Sequence, residues 1–141
     1  MGRVVNPQQV EGQIEGGVVM AIGHALMEDY IQVDGRTTTA GFAKYILPTA
    51  LDVPKVTSVL IQEPDPKTPL GVKGIGEPAI TPTAAAVINA IHDAVGVRIT
   101  RLPATPERVL EALLARRAAQ AARSPAEAAP AAVAAAGALP A

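Results

Sequence analysis

Only three of the 141 residues are aromatic, two tyrosines and one phenylalanine, although 49% of the chain is apolar. Its core must therefore be built from Ala, Val, Ile and Leu, which bury less area each than Phe or Trp. The length suffices for one domain. Such a core nevertheless favours docking onto a larger partner over a fully self-sufficient fold. The net charge of −1 leaves no electrostatic footprint for nucleic acid or an anionic membrane. The chain has no cysteine, which excludes disulfides, thiolate metal sites and cysteine-ligated iron–sulfur clusters from it. The first residues have no apolar core of signal-peptide type, and no apolar run reaches the ~20 residues of a membrane helix. A cytoplasmic location is the expectation.

Asn6-Pro7-Gln8-Gln9 is a helix start. Asn6 can accept from orphan backbone N–H groups, Pro7 suits the first helical position, and Gln9 stands where a capping-box partner belongs. The helix is expected over residues 7–29, with Val10, Ile14, Val18, Ala21 and Ala25 near one face and Ile22 and Leu26 extending it. Residues 30–33 read as a strand, Asp34-Gly35 as a hairpin turn and residues 36–40 as the return. Further extended segments are expected at 42–47, 56–62 and 97–102. Thr81-Pro82 reads as the cap and first position of a second helix, carrying Ala84, Val87, Ile88, Ile91 and Val95 as its apolar stripe. Gly96 can end it in the left-handed conformation. Thr105-Pro106 repeats the helix start, followed by a stripe of Val109, Leu110, Leu113 and Leu114. These elements make an α+β fold, with helices packed on a small, mostly antiparallel sheet. Residues 1–117 are expected to form one subdomain. Residues 118–141 are an Ala/Pro-rich tail with little to bury, expected to be a frayed helix and then disordered.

Two stretches invite a chemical reading. In Leu70-Gly-Val-Lys-Gly-Ile-Gly-Glu-Pro-Ala-Ile80, three glycines let the backbone approach a ligand closely. Pro78 biases Glu77 toward an extended conformation, so one carboxylate is held just before a helix. From the loop alone, a salt bridge or cap is the favoured explanation of such a glutamate. The spacing matches neither the P-loop nor the dinucleotide fingerprint. The first helix carries Gly12, Gly16, Gly17 and Gly23, each costing roughly 1 kcal/mol relative to Ala in a helix interior. Close helix packing or close approach to a cofactor would offset that cost. The remaining candidates are weak. His24 and His92 have no second ligand at metal spacing, and no serine sits in a nucleophile elbow. No residue of the chain is expected to ligate a metal directly.

The stretch from Pro69 to Ala94 resembles the closing motif of the molybdenum hydroxylases, the xanthine dehydrogenase/aldehyde oxidase family, in its Lys73, Gly76, Glu77 and Pro78 and in the helix bearing Asn89-Ala90-Ile91 and Asp93-Ala94. The first helix resembles the same family through Asn6-Pro7, Gly12-Gln13 and Glu15-Gly16-Gly17, while Met20-Ala21 departs from the Gln-Gly common there. Lys44-Tyr45 with Pro48-Thr49-Ala50 is similar to a scaffold segment of the family. The resemblance covers residues 3–114.

It implies the terminal part of a molybdenum-binding domain from the large, molybdopterin-binding subunit. Glu77 would be the catalytic base of an oxidative C–H hydroxylation with water-derived oxygen, and Gln13, with Gly12 and Gly76, would contact the cofactor. A neutral amide suits that place because it donates a hydrogen bond without adding charge. The cofactor implied is a molybdopterin, in its cytosine dinucleotide form. The [2Fe-2S] clusters and FAD would reside on partner chains, an iron–sulfur subunit and an FAD subunit. The remaining partners would be the rest of the molybdenum-binding subunit and a small-molecule substrate. Large subunits of the family are much longer than this chain. It is therefore expected to be a fragment, split subunit or truncated frame that is inactive in isolation. The competing reading is a non-catalytic interaction or remnant domain of the family.

Overall fold

A computed structural model describes residues 1–123. Its elements, in order, are α1 (Pro7–Leu26), the hairpin strands β1 (Gln32–Val33) and β2 (Arg36–Thr37), a short 3-10 turn at Pro69–Gly71, α2 (Ile80–Val95) and α3 (Pro106–Arg123). Three helices and a two-stranded antiparallel sheet make the α+β fold, and α1 packs against α2. None of the helices is long and apolar enough to cross a membrane.

The first helix starts as its sequence demands. The Asn6 side chain accepts from the Gln9 N–H at 3.2 Å, and Pro7 occupies the first turn. Val10, Gly17, Ala21, Ile22, Gly23 and Ala25 are its buried residues; of the expected stripe Ile14, Val18 and Leu26 are only half-buried, and two glycines join it. The helix stops at Leu26, where the Met27 N–H turns back to the Gly23 carbonyl. The hairpin turns through Asp34 and Gly35, both at positive φ, as a two-residue connection matched to strand twist requires. Val33 pairs with Arg36 and Gln32 with Thr37.

The second helix begins earlier than expected. Ile80 is its first residue, Ala79 precedes it without a side-chain cap, and Pro82 falls inside the first turn. Thr81 is therefore not the cap. Pro82 is tolerated because the first N–H groups of a helix have no intrahelical partner. Gly96 ends the helix at φ 68°, its N–H bonded to the His92 carbonyl at 2.7 Å. Thr105 caps α3, accepting from the Arg108 N–H at 3.4 Å.

The sheet is smaller than the extended segments suggested. Residues 42–47 form no strand: the Gly41 carbonyl accepts from both Lys44 and Tyr45 N–H, which wraps residues 41–45 into a turn. Residues 56–62 and 97–102 have the alternation of strands but no strand pairs with them, so no ladder forms. Val97 and Ile99 instead become core residues with Ala104, packed against Leu26, Ile88, Ile91, Val95, Val109, Ala112 and Leu113. Among the described residues no large side chain is fully buried, and the buried apolar residues are Val, Ile and Ala. Phe42 is 80% exposed and Leu51 98%. On α3, Leu110 and Leu114 are exposed, so only half of its stripe is covered. The expected disorder of the tail beyond Arg123 lies outside the described residues.

Candidate active site

The glycine-rich loop is brought to the start of α1 by main-chain contacts. The Arg3 N–H donates to the Gly71 carbonyl at 2.9 Å. Gly2 is buried there, and a Cβ on it would collide with the backbone of Gly71, Val72 and Lys73. Gly71 itself has φ 71° and accepts a second N–H, that of Asp65. These contacts form a cleft of about 600 Å³ between the first turns of α1 and the loop. Its lining includes Asn6, Gln9, Gly12 and Gln13 from one side and Val72, Lys73 and Ile75 from the other, with Arg3 at the junction. The lining thus presents two cations and several amides and no carboxylate.

A second contact fixes the far end of the loop. Gly17, one turn after Gln13, faces Ala79: a Cβ on Gly17 would stand 2.9 Å from the Ala79 Cβ. The Ile80 N–H donates to the Glu77 carbonyl at 3.2 Å, and the Thr83 hydroxyl donates to the Ala79 carbonyl at 2.7 Å. The turn that carries Glu77-Pro78 is thereby seated on α1.

Of the residues singled out in the sequence, Gly12 and Gln13 line the cleft directly. Gly76 and Glu77 follow Ile75 in the chain but do not line it, and both are exposed. Glu77 enters neither of the two ion pairs of the described residues. Gly12 and Gly76 have no atom within 4 Å of where a Cβ would stand, in contrast to Gly17. The two glycine roles that the sequence left open are therefore divided between positions. Gly17 serves close packing, whereas nothing in the described chain requires glycine at 12 or 76.

Sequence reasoning missed a polar network at the end of α1. The Tyr45 hydroxyl donates to the Glu28 carboxylate at 2.6 Å, and His24 Nε2 lies 3.7 Å from the same carboxylate. The Glu28 side chain is only 8% exposed. Accepting that bond, Glu28 holds the Tyr45 phenol above its usual pKa, with burial and the adjacent negative charge adding to the effect. Arg108 ties α3 to the same region, donating to Asp29 at 2.8 Å and to the Pro103 carbonyl at 2.7 Å. The signals were a lone tyrosine in the Lys44–Thr49 stretch and charges beyond the last turn of α1, neither of which has a local pattern.

Residues 1–54 match the model of a molybdopterin cofactor-binding domain, a stretch that includes Gln13 and ends before Glu77. The chain is 40% identical over 112 residues to the xanthine dehydrogenase molybdenum-binding subunit of Escherichia coli O157:H7, covering 78% of this chain and 15% of that protein. It is 44% identical over 119 residues to the aldehyde oxidoreductase of Megalodesulfovibrio gigas, covering 82% and 12% respectively. The chain belongs to the xanthine dehydrogenase/aldehyde oxidase family of molybdenum hydroxylases. The crystal structure of quinoline 2-oxidoreductase from Pseudomonas putida 86 superposes with a TM-score of 0.76 at 39% identity, over 80% of this chain and 15% of that one. This member of the family thus spans about one seventh of its relatives' length or less. An alignment over 82% of the chain extends well past residue 54 and takes in the glycine-rich loop.

Proposed function

We propose that residues 1–117 supply part of the catalytic centre of a molybdenum hydroxylase, with Gln13 contacting the molybdenum cofactor and Glu77 acting as the base. The observation that carries the reading is the cleft between α1 and the glycine loop. It joins Gly12 and Gln13 to Val72, Lys73 and Ile75, immediately ahead of Glu77. The residues suit a phosphate-bearing cofactor. Arg3 and Lys73 give the cleft positive charge, and Gly12 on its wall leaves open the space that a Cβ would fill. The Gln13 amide donates without adding charge.

When bound, the molybdenum cofactor supplies an activated water-derived oxygen and takes up the electron pair removed from the substrate. The part of this chain is narrower. Gln13 orients an oxygen of the cofactor by hydrogen bonding. Glu77, exposed and engaged in no ion pair of the described residues, would accept a proton on its carboxylate as general base. The same reading makes the cofactor the cytosine dinucleotide form. It gives the enzyme cytoplasmic iron–sulfur and FAD subunits as partners, and requires the rest of a molybdenum-binding subunit to complete the pocket. The chain alone is then inactive.

The test is Glu77→Gln in the assembled enzyme, with molybdenum content measured beside turnover. The expected result is a loss in kcat of about 100-fold or more at unchanged molybdenum content. Full turnover in the loaded Glu77→Gln enzyme would sink the proposal.

A further inference from the structure

The three aromatic residues of the chain stand in one place. Tyr30, Phe42 and Tyr45 line a single concavity of about 330 Å³ at the hairpin, together with Thr37 and Thr39. In a chain whose buried residues are Val, Ile and Ala, rings would stabilise most by entering the core. They do not: Tyr30 is 60% exposed and Phe42 80%. Core packing therefore does not account for their convergence.

The walls are fixed from within residues 28–45. The hydroxyls of Tyr30 and Thr37 share a hydrogen bond of 2.7 Å, and Gln32 Nε2 donates to the Tyr30 oxygen at 3.1 Å. The Ile31 N–H donates to the Thr39 hydroxyl at 3.0 Å. The Tyr45 hydroxyl donates to the buried Glu28 carboxylate. Both tyrosine hydroxyls are thus engaged by the protein itself, and what the tyrosines leave to a ligand is ring surface. Ring faces carry the negative side of the aromatic quadrupole and attract cations. Donation from Tyr45 to a carboxylate polarises its ring further in that sense. Among the described residues the lining carries no charged side chain. Arg36 and Lys44, next in sequence to Thr37 and Tyr45, do not enter it. A carboxylate or phosphate would find no cation there. A primary ammonium would give up hydrogen bonds to water that rings do not replace, whereas a methylated ammonium has none to lose. The volume lies at the lower end of the roughly 300–1,000 Å³ of ligand pockets, which suits a compact group.

We propose that Tyr30, Phe42 and Tyr45 form an aromatic cage for a small organic cation bearing a methylated ammonium group. The cage shares no lining residue with the cleft at Gln13. It goes beyond the molybdenum reading and does not rest on it. Tyr30 and Tyr45 are the anchored walls, and Phe42, on the turn closed by the Gly41 carbonyl, is the exposed one.

Both tyrosines belong to the cage and the chain has no tryptophan, so the tyrosine emission of the full chain reports the site directly. Choline is titrated beside the uncharged alcohol in which carbon replaces its ammonium nitrogen. The expected result is a saturable change in emission with choline, at an affinity about tenfold tighter than that of the alcohol. Phe42→Ala, which removes an exposed ring and keeps both reporters, should weaken choline about fivefold or more. Phe42→Trp, whose indole attracts cations more strongly, should bind choline at least as tightly as the unmodified chain. No saturable change, equal affinity for the uncharged alcohol, or unchanged affinity in Phe42→Ala would each overturn the cage. Sedimentation of the chain with phosphatidylcholine vesicles, lost in Phe42→Ala, would overturn the small-molecule ligand in favour of a lipid head group.

Discussion

Gly17 and Ala79 bring the first helix and the Glu77 turn into contact, with room for a hydrogen and not for a methyl group. A Cβ at Gly17 would stand 2.9 Å from the Ala79 Cβ and 3.3 Å from the Ile80 nitrogen. In an open helix interior, Gly→Ala stabilises by about 1 kcal/mol. Here the sign reverses, because the added methyl must push the turn away. Gly17→Ala is expected to lower the urea midpoint, and Gly17→Val to cost about 1–3 kcal/mol as an overpacked contact. A midpoint raised by Gly17→Ala would mean that the turn is not seated on α1.

The Tyr45–Glu28 bond sets an alkaline limit to stability. Its pKa raised by the bond to Glu28, Tyr45 contributes stability that is fully present below the unfolded phenol's value near 10 and is lost as pH rises through the higher folded value. Tyr45→Phe removes that alkaline limb. At neutral pH it should cost about 1 kcal/mol for the lost hydrogen bond, since Glu28 keeps His24 nearby. Thermal unfolding of both proteins from pH 7 to pH 11 checks this: parallel curves above pH 10 would contradict it.

Arg108 holds α3 to the end of α1 through Asp29, with both side chains half-buried. Replacing Arg108 by Met keeps the aliphatic stem and leaves the Asp29 carboxylate without its partner. The expected loss is about 1–3 kcal/mol. Asp29→Asn in the Arg108→Met background should cost much less than Asp29→Asn alone. Double-mutant-cycle denaturation reads the coupling, and additive losses would assign Arg108 to its bond with the Pro103 carbonyl instead.

The loop at Thr49 and Asp52 has its own titration. The Thr49 hydroxyl and N–H both donate to the Asp52 carboxylate at 2.7 Å and hold its pKa below the ordinary value, the hydroxyl bond having the larger effect. A depressed folded value contributes stability above the unfolded carboxylate's pKa and loses it as pH falls through the folded one. Thr49→Val should move the Asp52 titration, followed by carboxyl-carbon NMR, back toward the ordinary range. An unmoved titration would mean that the Thr49 hydroxyl does not bond Asp52.

The helix starts and stops were legible because they are local. Asn6-Pro7, Thr105-Pro106 and Gly96 each act on groups within four residues, and all three behave as their chemistry requires. The hairpin turn was legible for the same reason. Strand pairing was not, since a period-2 pattern at 56–62 and 97–102 states which faces are apolar and not whether a neighbour is present. The start of α2 at Ile80 was hidden because the Gly17–Ala79 contact and the bond from Ile80 to Glu77 outrank the capping preference of Thr81. Gln13 and Glu77 were singled out by motif. Only Gln13 reaches the cleft lining within the described residues, because Glu77 lies beyond the loop residues that form the cleft wall.

Gly12 separates stability from function most cleanly. It lies in the body of α1, and no atom stands within 4 Å of its missing Cβ. The described chain therefore gains from Gly12→Ala, by about 1 kcal/mol of helix propensity, the opposite sign to Gly17→Ala. The same methyl projects from the residue beside Gln13 on the wall of the cleft. If the cofactor approaches that wall closely, the assembled enzyme should lose molybdenum while its apoprotein becomes more stable. Urea denaturation of the chain and metal analysis of the assembled enzyme read the two effects separately. A Gly12→Ala enzyme with full molybdenum content would remove Gly12 from the cofactor site.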